Sequence, residues 1–342
     1  MNIDHIRQRL RSVGAKPAHQ ALVLRNWTRA LPLDLGRSRA EDFFPREMCA
    51  TLPGLAEELR GLVRLRSEHA GEDGCRLLLA LADGQAVESV LLPKGGLCVS
   101  TQVGCAVGCT FCMTGRDGLQ RQLGSAEIVA QVALARRLRP VKKVVFMGMG
   151  EPAHNLDNVL EAIELLGALG DIGHKNLVFS TVGDRRVFEL LPRCAVKPAL
   201  ALSLHTTKAE LRARLLPRAP RIDPAELVAL CGEYARATGY PIQYQWTLLE
   251  GINDGADEVE AIARLLDGQY AVMNLIPWNA VDGLGYRRPS PERAEAMALA
   301  LYKRGILAKL RQSAGQDVDG GCGQLRAHTL APAPRSAPTG AA

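Results

Sequence analysis

From Leu97 onward, short apolar runs alternate with helix-like patterns, and this alternation limits the fold more than any other feature of the chain. The apolar runs are "LCVSTQ", "KKVVFMGMG", "NLVFSTVG", "PALALSLH", "PIQYQWTLL", "AVMNLIPWN" and, more weakly, "AKLRQS". Between them, Ser125 is placed to cap "AEIVAQVALARRL", with Glu127 in the first turn. "LDNVLEAIELLGAL", "PAELVALCGEYARATG", "ADEVEAIARLLDG" and "SPERAEAMALALYKRG" read as further helices. Continuous apolar strands between helices predict an α/β fold with a mainly parallel sheet covered by helices, open or closed into a full or partial barrel.

The rest of the chain frames this core. Residues from about Asn2 to Glu68 read as helical, with breaks at residues 32–36 and at Pro53. "CRLLLALADGQAVESVLLP" reads as a hairpin across Asp83-Gly84. The end, "APAPRSAPTGAA", has the composition of a disordered tail. The expected units are a small helical region over residues 1–70, a β-hairpin extension over 71–96, the α/β core with its C-terminal segment over 97–325, and a tail over 326–342.

The polar and glycine-rich signals fall at strand ends: "GMGEP", Ser180-Thr181, Ser203-Leu204-His205, and residues 274–279. In parallel α/β proteins ligands bind at the C-terminal ends of strands. These four segments are therefore expected to face one cavity.

Three cysteines crowd residues 104–115, "GCAVGCTFCMTG", as Cys105-x-x-x-Cys109-x-x-Cys112. The chain has nine cysteines, an odd number, and its charged start lacks the apolar core of a signal peptide. Reduced thiols in a cytoplasmic protein are expected, some of them binding metal. No stretch reaches the roughly 18 apolar residues of a membrane span. The net charge of +6 permits a polyanionic partner without demanding one, and 4% aromatic residues cannot build a broad stacking platform. Structural zinc usually takes four ligands from two separated pairs, and no second C-x-x-C exists here. A four-iron cluster held by three thiolates keeps one iron open for a ligand, and so explains the missing fourth cysteine better.

A C-x-x-x-C-x-x-C triplet on the loop after a first strand resembles the radical S-adenosylmethionine (SAM) superfamily. Reading on, "CVSTQVGCAVGCTFCMTG", "EIVAQV", "VVFMGMGEP", "LALSLH", "NLIPWN", "RPSPER" and "GCGQL" follow in order the pattern of the RlmN/Cfr family of radical-SAM RNA adenine methyltransferases. The likeness runs from about Val87 to Leu325. It implies a partial (β/α)6 barrel, a [4Fe-4S] cluster on Cys105, Cys109 and Cys112, and SAM bound at the open iron. The implied reaction methylates a ring carbon of adenine, carbon 2 ahead of carbon 8, in 23S ribosomal RNA, transfer RNA or both. The implied partners are that RNA and an electron donor such as flavodoxin or ferredoxin, with the chain acting as a monomer.

The resemblance also assigns roles. Cys322 takes a methyl group from a first SAM. A radical generated from a second SAM removes hydrogen from that methyl, and the resulting carbon radical adds to adenine. Glu88 matches the base that then removes the ring proton. Cys98 matches the thiol that attacks Cys322, forming a transient disulfide and releasing methylated RNA. Gly150, Glu151, Ser180, Ser203, Leu204, His205 and Asn279 match the SAM site. Read without the family, Cys98 is a small buried hydrophobe, Glu88 a solvated strand residue and His205 a structural histidine. "GRDGLQRQL", "STVG" and "GGCGQL" depart from the commoner "GKQGFNRNL", "STSG" and "AACGQL", which bears on subgroup and removes no catalytic atom. Two rival readings differ in chemistry. Another radical-SAM enzyme, such as a methylthiotransferase or an activating enzyme, needs the triplet but not both Cys98 and Cys322. A metal-stabilised RNA-binding protein without catalysis needs a structural zinc.

Overall fold

The structure is a computed structural model, and it describes residues 1–37, 39–71, 74–281, 283–311 and 324. Its strands are β1 (Val63–Gly71), β2 (Gly74–Leu81), β3 (Ala86–Leu92), β4 (Gly96–Cys98), β5 (Gln102–Gly104), β6 (Leu119–Gln122), β7 (Lys143–Phe146), β8 (Leu177–Thr181), β9 (Ala199–Ser203), β10 (Ile242–Leu248), β11 (Ala271–Pro277) and β12 (Ala308–Leu310). Ten of them form one sheet in the order β1-β2-β3-β4-β7-β8-β9-β10-β11-β12, and β5 and β6 form a separate pair. The sheet is antiparallel from β1 to β4 and parallel from β4 to β12. Its two edge strands do not pair with each other among the described residues, so the barrel is partial, as expected.

The helices are α1 (Ile3–Ser12), α2 (Pro17–Thr28), α3 (Ala40–Phe43), α4 (Arg46–Gly61), α5 (Ser125–Leu138), α6 (Leu156–Ala168), α7 (Arg185–Leu190), α8 (Ala209–Leu215), α9 (Pro224–Thr238), α10 (Ala256–Leu265) and α11 (Pro291–Tyr302). Helix α5 is buried at every position from Ser125 to Ala135. It is apolar nearly all round, the pattern of a helix enclosed on all sides. One hydrophobic core runs from Ile3, Leu24 and Met48 of the N-terminal helices to Phe146, Phe179 and Trp246 of the sheet.

Three local expectations are corrected and a fourth, the hairpin, is extended. The N-terminal segment is not helical to Glu68: residues 63–71 form β1, an edge strand whose exposed alternate positions carry Arg64 and Arg66. The expected hairpin is real, with Leu81 and Gln85 closing the turn at 2.8 Å, but it belongs to a three-stranded antiparallel extension. Pro53 does not break its helix and lies inside α4. Ser125 does not cap α5. Gly124 precedes the helix, and its backbone N–H donates to Glu127 Oε2 at 2.8 Å. The Ser125 hydroxyl instead accepts from the backbone N–H of Ile3 at 2.8 Å and donates to Glu161, tying the start of the chain to α5 and α6. The C-terminal tail over 326–342 lies outside the described residues.

Candidate active site

The three clustered cysteines sit on a loop closed at its base by the β5–β6 pair. Cys105 donates its backbone N–H to the carbonyl of Gly118 at 3.1 Å. Gly104, at φ 76°, leaves no room for a side chain there, because a Cβ would stand 2.0 Å from the same oxygen. The far side of the loop is pinned from other elements. Thr110 bonds the carbonyl of Leu215 at the end of α8 at 3.0 Å, and the indole N–H of Trp278, just after β11, donates to Phe111 O at 2.8 Å.

The loop forms one wall of a cavity of about 430 Å³ at the C-terminal ends of the parallel strands. Cys105, Cys109 and Cys112 line it together with Cys98, Gly150, Glu151, Ser180, Ser203, His205 and Asn279. The four strand-end segments thus meet in one cavity, as the sequence pattern requires. Leu204 does not border it; its side chain is fully buried in the main core. Glu88 does not border it either, although Arg76, which pairs with Glu88, does. Cys322 lies outside the described residues. Gln324, two positions on, is buried and donates to the carbonyl of Ala280 at 2.6 Å, next to the cavity residue Asn279.

The donor set suits an iron–sulfur cluster. Burial pushes the Cys105 thiol up to about 12, and burial together with Cys112 and Cys105 pushes Cys109 well above its ordinary range. Cys112 is raised as well, by burial first. Three desolvated thiols that oppose one another's ionisation are a poor arrangement for a metal-free protein and a good one for binding cationic iron. No trio of donors among the described residues is arranged to grip a single metal ion.

Buried polar side chains hold the opposite wall. Glu151 accepts from the backbone N–H groups of Ala153 at 3.1 Å and Val182 at 3.0 Å, and burial raises its carboxyl to about 7. Gly150 precedes it at φ 103°, and a Cβ there would stand 2.6 Å from Gln102 Cβ. That glycine serves the packing of the chain itself as well as any ligand. His205, at φ 62°, accepts from the backbone N–H of Thr247 through Nδ1 at 3.0 Å, which leaves the ring proton on Nε2. Burial, with the cationic Arg212 nearby, lowers its pKa to about 3, so the imidazole is neutral. Its edge meets Phe111 of the cysteine loop at a centroid distance of 4.9 Å.

The antiparallel extension brings the remaining groups. Arg76 is paired with Val90, Leu78 with Glu88, and Val90 with Cys98. Alternation along strands then puts Arg76, Glu88, Val90 and Cys98 on one sheet face. The Glu88 carboxylate accepts from Arg76 Nη1 at 3.1 Å, with side-chain exposures of 2% and 3%. The solvated reading of Glu88 is therefore wrong. Ser89 points the other way and donates to Gln131 of α5 at 2.8 Å.

Sequence reading missed the residues that hold this frame. Gln131 also accepts from Ser100 N–H and donates to Ser100 O, both at 2.9 Å. Asn253 donates to the carbonyls of His205 and Thr247, both at 2.7 Å. Glu258, fully buried, accepts from Thr206 and from the backbone N–H of Thr207, at 2.9 Å for the latter. Arg212 donates to the carbonyls of Val182 and Ser203. A lone polar residue inside an apolar helical run, as Gln131 is in "EIVAQVALA", was the available signal.

A parallel sheet with thiols and a glycine turn at its strand ends defines a class, the radical SAM enzymes, and the Radical SAM superfamily model matches residues 99–266. A radical SAM methyltransferase from Sphaerobacter thermophilus, solved by crystallography, is 33% identical, with a TM-score of 0.82 over 96% of this chain and 98% of that one. A probable RNA methyltransferase of Aromatoleum aromaticum is 74% identical over 97% of this chain and 94% of its own length. One of Leptothrix cholodnii is 71% identical over 98% and 97%. The chain belongs to this family, the RlmN-like radical SAM RNA methyltransferases. No helix among the described residues is long and apolar enough to cross a membrane.

Proposed function

We propose that this protein transfers a methyl group to carbon 2 of an adenine in 23S ribosomal RNA or transfer RNA, with Cys322 as the methyl carrier. An aromatic C–H carbon is a poor nucleophile, so direct alkylation by SAM would be slow. When bound, the cluster and SAM supply the methyl group and the one-electron chemistry that overcomes this barrier. Cys105, Cys109 and Cys112 hold the cluster. Glu151, Ser180, Ser203, His205 and Asn279 hold SAM, the carboxylate of Glu151 suiting the SAM ammonium and the neutral His205 offering its Nε2–H. Leu204 contributes through its place between Ser203 and His205.

The chain's own residues then finish the transfer. Once adenine is linked to the Cys322 methylene, Glu88 takes the ring proton, and the unpaired electron of the adduct would return to the cluster so that the ring is aromatic again. Cys98 attacks the Cys322 sulfur; the S–CH2 bond breaks with its electron pair going to the methylene, which takes up the proton that the Cys98 thiol gives up and becomes the methyl group, and a Cys98–Cys322 disulfide remains. One observation carries the reading: Cys98 borders the same cavity as the three clustered thiols and shares a sheet face with Glu88. A structural-zinc protein has no use for a fourth buried thiol at that place. The reaction draws its electrons from a carrier such as flavodoxin or ferredoxin and takes place in the cytoplasm.

Mass spectrometry of adenosine from the RNA of cells with and without the gene tests the product, and loss of 2-methyladenosine is expected. In vitro, Cys322→Ala gives no methylated RNA, whereas Cys98→Ala accumulates protein covalently bound to RNA. Normal turnover by Cys98→Ala overturns the mechanism, and 8-methyladenosine as the lost product overturns the choice of carbon.

A further inference from the structure

The Glu88 carboxylate is joined to a guanidinium that lines the cavity. Arg76 lines the cavity and Glu88 does not, yet the two are joined at 3.1 Å with almost no solvent access. They come from adjacent strands, offset diagonally on the face that also carries Cys98. The backbone behind Glu88 is fixed as well, since the Ser100 hydroxyl donates to its carbonyl at 2.5 Å. A carboxylate buried this deeply without a cation beside it takes up a proton, and a protonated carboxyl cannot accept another. Among the described residues, the other charged groups on the cavity wall are Glu151 and Arg311. Arg311 donates instead to Asn274 Oδ1 at 2.9 Å.

We propose that Arg76 is the positioning residue of the proton-removal step, keeping Glu88 ionised and aimed at the cavity wall. The inference rests on the reading of Glu88 as the base. It assigns Arg76 a role in the step after adenine has been joined to the protein. The carboxylate gains the ring proton and the C–H electron pair returns to the ring; the odd electron left by the radical addition would pass to the oxidised cluster as one-electron acceptor, and Arg76 changes neither bonds nor charge.

The test compares the wild type, Arg76→Met, Arg76→Lys, Glu88→Gln and the double variant Arg76→Met/Glu88→Gln, each as reconstituted holoenzyme. Product is read by mass spectrometry, trapped RNA–protein adduct by denaturing gel, and folding by thermal melting. Arg76→Met is expected to lower kcat by about 100-fold, with KM for RNA little changed, and to accumulate adduct. Arg76→Lys restores most of the rate. The double variant is expected to melt above Arg76→Met, because the two paired charges leave together, but to turn over no faster than Glu88→Gln. Two results overturn the proposal: an Arg76→Met defect that lies in KM without adduct, or a double variant slower than Glu88→Gln by the full Arg76→Met factor. Normal turnover by Glu88→Gln removes the base itself, and the proposal with it. That outcome is distinct, because methylation would continue by a different acceptor.

Discussion

Gln131 and Ser100 grip each other by two hydrogen bonds: Ser100 N–H donates to Gln131 Oε1 and Gln131 Nε2 donates to Ser100 O, both at 2.9 Å. The same amide oxygen takes the Ser89 hydroxyl, so one side chain joins the strand of Glu88 to the segment after Cys98. Both chemical groups therefore owe their spacing to a helix on the opposite side of the sheet.

Replacing Gln131 by Leu strands the Ser100 backbone N–H and carbonyl in the interior. A loss of about 2–4 kcal/mol is expected, read as a lower midpoint in urea unfolding. An unchanged midpoint would mean that water or another side chain satisfies Ser100.

The cysteine loop predicts a clean partition among the thiols. Wild type reconstituted without oxygen should carry about four iron and four sulfide per chain. Alanine at Cys105, Cys109 or Cys112 should remove most of this, while alanine at Cys98 should leave iron and the brown absorbance intact. Loss of iron in Cys98→Ala would place that thiol in the cluster.

His205 gives the protein an acid weakness. Its folded pKa is lowered to about 3, so below the ordinary histidine value of about 6.5 the unfolded chain binds a proton that the folded chain does not. Stability is lost as the pH falls through that window. Asparagine tolerates the left-handed backbone at this position and can still accept from Thr247. His205→Asn should gain on the wild type by about 2 kcal/mol between pH 7 and 5, measured by urea unfolding at each pH. A gap that does not change with pH would show that His205 takes up no proton on unfolding.

Gly150→Ala combines a left-handed backbone with a collision against Gln102. A cost of about 1–3 kcal/mol is expected, together with weaker SAM binding by calorimetry, since the turn must move. Gly84→Ala provides the comparison: it has a φ of 83° but open space around it, so its backbone cost comes without loss of SAM affinity.

The parallel strands and their ends were legible because apolar runs and helix patterns alternate regularly from Leu97, and because Gly150, Ser180, Ser203 and Asn279 interrupt the runs where ligands gather. Strand β1 was hidden: "VRLRSEHAG" carries charges along an exposed edge and shows little of a strand's apolar alternation. Glu88 was misplaced for a related reason. A carboxylate between apolar neighbours reads as the wet face of a hairpin, unless Arg76, twelve positions earlier, is known to lie beside it. Long-range partners such as Asn253 for His205, or Glu258 for Thr206, leave no periodic trace at all.

The ten-stranded sheet changes character at β4, only three residues long, antiparallel to β3 on one side and parallel to β7 on the other. Everything that would bind cofactor sits on the parallel side; the carboxylate and its arginine sit on the antiparallel side. The sheet is in this sense a graft, a parallel scaffold whose strand ends gather the cavity and a short antiparallel piece that carries the buried Arg76–Glu88 pair. Among the described residues the antiparallel side reaches the cavity through Arg76, Val90 and Leu92, so the seam at β4 joins two differently built sheets into one shared wall.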